Sequence, residues 1–355
     1  MAESDSNMTD MPAHDAMDQF TAHIDRGWDL IHRGDLRGAQ ISAEKSIELD
    51  AQSPEAYNLL GYVRAAQGAA EDALESYKQA IALDDTFVEA MLNAAEVLIH
   101  PLHDFDAAIG MVEEALDFAE NDDEVADALL LKYDAYMHQG DKAGATRVAA
   151  GLPMGPFESP RLAFLVGRAH FETGGLPQAK GLLAHAIERE PENGDAHYTL
   201  ALVHEAEGAT VAMVEAFLRA REMDLAMPPA PWAISRDTFT ARVRDALSRL
   251  PVPLQQVVDG AQVVVAELPG AEVVADGIDP RLRVLLDTAP RNGQPSAPTR
   301  VVRMFVYQRN VERSAEDPEA LDEELYFAIE DEICGSFPEL ASFATAPDDD
   351  DPHGH

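Results

Sequence analysis

The sequence predicts an α-solenoid of about six helix pairs followed by a small α+β domain. Two observations carry this. Small residues recur at intervals of 34 through residues 19–227, and a β-branched, proline-punctuated texture replaces them after Pro228. The 355 residues are enough for two cores, and 46% hydrophobic content is that of a folded chain.

Gly27 and Gly61 stand 34 residues apart, and the same offsets relate Ala39 to Ala73 and Leu49-Asp50 to Leu83-Asp84. The run Tyr57, Gly61, Gly68, Ala73, Tyr77 and Ala80 alternates small with large side chains. Gly167, Gly174, Ala179, Ala186 and Pro191 repeat the series, and Ala201, Gly208 and Ala220 follow in phase. Two weaker units lie between. One carries Ala95, Ala108 and Ala115 with an extra residue near His100-Pro101; the other carries Tyr133, Gly140 and Ala145 and stops short at Gly151 to Pro153. Such spacing suits two antiparallel helices per unit: small residues let the helices approach, large ones fill the gaps, and a glycine turns the chain between them. At these residues the pattern resembles the tetratricopeptide repeat.

That resemblance implies a concave face lined by the first helix of each pair, holding a protein or peptide partner. The repeat phase puts Asn58, Tyr62, Asn93, Glu96, Asp134, Phe164, Arg168, Tyr198 and Glu205 there. Asparagine amides suit a ligand backbone, and tyrosine and phenylalanine supply rigid apolar contact. Arg161 and Arg168 form the one basic spot in an otherwise acidic face.

The charge is lopsided, 65 acidic against 26 basic residues for a formal −39. Such a field repels nucleic-acid phosphate and anionic membrane and favours cationic partners. No apolar run is long enough to span a bilayer. A single cysteine, Cys334, excludes an internal disulfide, and residues 1–18 lack the basic and apolar segments of a signal peptide; both point to a cytoplasmic protein. Residues 1–18 and 346–355 read as acidic disordered ends. The oligomeric state is not readable.

Pro228, Pro229 and Pro231 end the last repeat helix. Residues 237–250 carry helical spacing, residues 262–268 and 300–307 read as strands, and Pro290 to Pro298 as a loop between them. Asp317-Pro318 is a helix start, after which Leu321, Leu325, Ile329 and Ile333 form an apolar stripe that ends at Pro338. In order, residues 263–269 (Val-Val-Val-Ala-Glu-Leu-Pro) and 306–313 (Val-Tyr-Gln-Arg-Asn-Val-Glu-Arg) resemble the minimal zincin-like metallopeptidases of bacteria. Members of that family carry His-Glu-x-x-His on the last helix, where two imidazoles hold Zn²⁺ and the glutamate is the general base. Here Asp331, Glu332 and Gly335 stand at those positions, and no histidine lies between Pro231 and Ala346.

The resemblance therefore implies a domain at 228–345 whose metal site is lost, with no catalytic residue, no cofactor and no bound metal. The expected protein is a non-enzymatic adaptor. Two alternatives stand beside it: an atypical metal-dependent peptidase built on Asp331, Glu332 and Cys334, and a substrate or inhibitor in a proteolytic circuit.

Overall fold

In the computed structural model the described residues are 13–290, 299–315 and 317–344. The loop read after Pro290 and the acidic C-terminal end lie outside them, as do residues 1–12. Residues 13–18, read as part of a disordered end, instead open the first helix. The chain forms two compact units, Met1–Arg189 and Glu190–His355.

The first unit is a stack of helix pairs: α1 (Ala13–His32) with α2 (Leu36–Leu49), α3 (Pro54–Ala66) with α4 (Ala70–Leu83), α5 (Val88–Ile99) with α6 (Phe105–Leu116), α7 (Asp122–His138) with α8 (Lys142–Ala149), and α9 (Pro160–Glu172) with α10 (Leu176–Arg189). Local chemistry starts these helices. Ser53, Asp104, Asn121 and Ser159 each accept a backbone N–H from their own first turn. The small anchors hold the pairs together: Ala39, Ala73, Ala80, Ala108, Ala115 and Ala179 are fully buried. A Cβ on Gly61 would sit 2.6 Å from the Tyr77 ring, so only glycine admits that ring between α3 and α4.

Gly68, at φ +78°, makes the turn from α3 to α4. The third pair differs. Its turn spans residues 100–104 rather than a triplet such as 67–69, and a histidine, His103, takes the left-handed conformation at φ +52°. The irregularity read near His100-Pro101 is thus a longer connection with its own geometry.

The second unit opens with the sixth helix pair, α11 (Gly194–Ala206) and α12 (Thr210–Ala226). After it come α13 (Arg236–Arg249), α14 (Val252–Val258), β1 (Gln262–Ala266), α15 (Ala271–Ala275), β2 (Val284–Pro290), β3 (Thr299–Tyr307), α16 (Gln308–Ala315), α17 (Leu321–Ser336) and a 3₁₀ turn at Pro338–Phe343. The sheet order is β1-β3-β2, with β1 parallel and β2 antiparallel to the central β3. Strand β2 is not legible in the sequence, since Val284-Leu285-Leu286 gives way to Asp287-Thr288 without sustained alternation. Leu321, Leu325, Ile329 and Ile333 are fully buried in one core with Phe239, Val243, Met304 and Val306. Helix α17 starts at Leu321, later than the sequence suggests, yet Asp317 Oδ1 still accepts from the Glu319 and Ala320 amides at 2.7 and 2.8 Å.

The proline run ends α12 as expected, but it does not separate the sixth pair from the sheet region. Asp224, 5% exposed on α12, accepts hydrogen bonds from both Arg281 and Arg313 at 2.8–3.0 Å. Arg309 donates to the carbonyls of Asp224, Leu225 and Met227, satisfying the open end of α12. Asn310 donates to the carbonyls of Pro280 and Leu282. The segment 306–313 is thus a clamp between α12 and the strands.

Candidate functional site

Helices α5, α7 and α9, the first helices of three successive pairs, line a groove of about 810 Å³ in the first unit. Its walls carry the carboxylates of Glu89, Glu96, Glu124, Asp127, Asp134 and Glu172 against the guanidiniums of Arg161 and Arg168, with Leu92, Leu130 and Leu165 between. The helical spacing that buries one face of each first helix turns these polar positions outward. Burial pushes the Asp127 carboxyl above the usual range, the neighbouring Asp123 charge adds to this, and Arg161 offsets only part of it. Tyr133 donates to Glu172 Oε2 at 2.6 Å, tying α7 to α9 across the floor.

Of the residues expected to face the groove, Asn93, Glu96, Asp134 and Arg168 line this cavity. Tyr62 is 39% exposed and packs edge-on against Trp28 at 5.2 Å, away from it. Two expectations need correction. Asn58 is only 1% exposed; it donates to Glu89 Oε1 at 3.1 Å and accepts from Asn93 at 3.0 Å, so its amide serves neighbouring helices rather than a ligand. Phe164 is buried beneath the Arg168 guanidinium, which lies 5.8 Å from its ring centre.

Tyr198 belongs to the second unit and is covered. Its hydroxyl donates to Asp279 Oδ2 at 2.8 Å, and Arg281 lies over its ring at 4.3 Å. Arg281 also pairs with Asp195 at 2.7 Å. The chain itself thus fills a position expected to be open to a partner. Glu205 is exposed.

At the end of α5 nearest α7, His100, Asp134 and His138 gather. His100 Nε2 lies 3.2 Å from Asp134 Oδ2 and His138 Nε2 lies 3.7 Å from Oδ1. One ligand atom from each lies within 4.8 Å of the other two, and among the described residues these three are the group able to hold a metal ion. Repeat phase singles out Asp134 alone. The spacing from Asp134 to His138 is a further signal, since i and i+4 share a helix face; His100, beyond another helix, leaves none.

In the second unit Asp331 is 82% exposed and faces Arg283 at 3.9 Å. Glu332 turns inward, where its Oε1 accepts the Leu286 amide of β2 at 3.3 Å. Burial raises the Glu332 carboxyl above the usual range, which that hydrogen bond partly opposes. Gly335 faces open space, with nothing within 4 Å of an added Cβ. Burial also raises the Cys334 thiol, and the charges of Glu330 and Asp331 add to it, which is the reverse of an activated thiolate. Among the described residues Asp331, Glu332 and Cys334 do not converge as a metal-binding set.

No functionally curated protein matches the chain. Among solved structures, that of Pseudomonas aeruginosa PilF is 15% identical with a TM-score of 0.49, covering 64% of this chain and 98% of that one. PilW, a type IV pilus biogenesis factor, is 17% identical with a TM-score of 0.46, covering 62% and 97%. YrrB, described as having an unusual peptide-binding site, is 19% identical with a TM-score of 0.39, covering 51% and 91%. No helix among the described residues is long and apolar enough to cross a membrane. The tetratricopeptide-repeat family model matches residues 24–86 and 165–227, the first two helix pairs and the last two. With that match and the stacked pairs described above, these two segments are tetratricopeptide repeats, a fold that serves as a scaffold for protein–protein interaction.

Proposed function

We propose that the chain is an adaptor whose groove between α5, α7 and α9 binds a basic, extended peptide segment of a partner protein. The observation that supports this most is the charge of the lining, six carboxylates against two guanidiniums. A lysine- or arginine-rich segment would meet Glu96 and Asp127, and an incoming cation would offset the burial, and the smaller effect of the Asp123 charge, that raise the Asp127 carboxyl. The leucines between supply apolar contact for its alternate side chains.

The test is fluorescence anisotropy on the full chain with a short Lys/Arg-rich peptide and its Glu/Asp counterpart. The basic peptide should bind, and added salt should weaken it. Glu96→Lys with Asp127→Asn should lower its affinity about tenfold, roughly 1.4 kcal/mol, with helicity retained. Equal binding of the acidic peptide, or an unmoved affinity in the variant, would rule the reading out.

The sheet region we read as a non-catalytic relative of the minimal zincin-like peptidases. What supports this is the placement of Glu332: at the position of a general base it accepts a β2 amide, and no imidazole stands on either side of it. A base without an activated water has no nucleophile to generate. Peptidase activity against a casein substrate that persists in the purified chain and disappears on Glu332→Gln would favour the atypical enzyme instead.

A further inference from the structure

We propose that His100, Asp134 and His138 form a binding site for one divalent transition-metal ion of the Zn²⁺ class. Asp134 and His138 project from one face of α7, and His100 closes α5 opposite them, so two successive repeats contribute. Both imidazoles direct Nε2 at the Asp134 carboxylate, one to each oxygen, at 3.2 and 3.7 Å. In a tetrahedral site with bonds of about 2.1 Å, adjacent donors stand roughly 3.4 Å apart. These two separations bracket that value and all three donor atoms lie within 4.8 Å of one another, so rotations of the exposed imidazoles about the half-buried Asp134 bring the set to one ion.

The ring contacts set the orientation. His138 stacks on Phe105 with 10° between planes and meets His100 edge-on at 5.5 Å. The longer turn at residues 100–104, with His103 at φ +52°, carries the chain from His100 to Phe105. Two imidazoles and one carboxylate select Zn²⁺, Ni²⁺ or Cu²⁺ over Mg²⁺ and Ca²⁺, which prefer oxygen. The acidic groove beside the site raises the local concentration of any cation. Three protein donors leave the fourth position to water. A bound ion would tie α5 to α7, the third repeat to the fourth.

Calorimetric titration with Zn²⁺ tests this on the full chain carrying His353→Ala and His355→Ala, which removes the C-terminal imidazoles as competitors. About one ion per chain should bind, millimolar Mg²⁺ should not displace it, and Tm should rise. His100→Ala and His138→Ala should each weaken binding about tenfold or more and abolish the rise in Tm. Unchanged affinity in both variants, or displacement by Mg²⁺ as effective as by Ni²⁺, overturns the site and leaves His100 and His138 as ion-pair partners of Asp134. Should either variant lose helicity, the same titration on Asp134→Asn decides, with an unchanged Zn²⁺-induced rise in Tm counting against the proposal.

Discussion

Asn93 Nδ2 donates to Asn58 Oδ1 at 3.0 Å, joining the first helices of successive repeats across 35 residues of chain. Asn58 in turn donates to Glu89, so the amide is spent on both sides. Asn58→Ala would strip a buried donor and acceptor at once. It is expected to destabilise the first unit by about 1–3 kcal/mol. Urea unfolding followed by circular dichroism measures this; a change within a few tenths would show that water replaces the amide.

Gly61 and Gly110 are both helical glycines with opposite surroundings. Gly61→Ala places a methyl 2.6 Å from the Tyr77 ring and is expected to cost about 1–3 kcal/mol. Gly110→Ala meets nothing within 4 Å and should gain about 0.5–1 kcal/mol from helix propensity. Measured side by side, the two variants should shift Tm in opposite directions.

Asp224 sets an acid limit on the second unit. Burial alone would raise its carboxyl, but hydrogen bonds from Arg313 and Arg281 outweigh that and hold it below the usual range. A carboxyl whose folded pKa is depressed adds stability above its unfolded pKa of about 3.9, and that stability is lost as pH falls through the folded value. Asp224→Asn removes the charge between two arginines and is expected to cost about 3 kcal/mol at neutral pH, flattening the acid dependence. Unfolding of a 190–355 fragment from pH 7 down to pH 2 would show both effects.

Glu332 has the opposite sign. Its folded pKa is raised, so ionisation costs stability as pH rises from about 4.3 through the folded value. Glu332→Gln keeps an oxygen for the Leu286 amide and removes the buried charge. The variant is expected to equal or exceed the parent in Tm at pH 7, with the difference shrinking toward pH 4. A marked loss of stability at pH 7 would mean that the ionised carboxylate has a partner that matters.

The repeats are legible because each unit needs the same small residues in the same places. Gly61 and Ala73 recur in phase with Gly27 and Ala39, and Ala80 with Ala186, so helix contacts follow from spacing alone. The apolar stripe from Leu321 to Ile333 is legible for the same reason. Strand β2 is not, because its pairing with β3 is decided by tertiary contact rather than by alternation along residues 284–290. Repeat phase names positions on the face but not their neighbours. It cannot tell that Asn58 bonds sideways to Asn93 and Glu89, nor that Arg281, 83 residues further on, lies over Tyr198. The meeting of His100 with His138 is equally out of reach, since it depends on how two helices pack.

The clamp of Arg281, Arg309 and Arg313 on α12 bears on how this chain can be cut and recombined. The prolines at 228–231 look like a natural seam, yet severing there strips Asp224 of both cations and bares the carbonyl end of α12. On the other side it takes the carboxylate partners from Arg281 and Arg313 and leaves Arg309 with Glu267 alone. The sixth helix pair therefore belongs with the sheet region, and domain exchange during descent would have to carry the two together. A fragment for crystallisation or NMR is better begun near residue 190 than near residue 228.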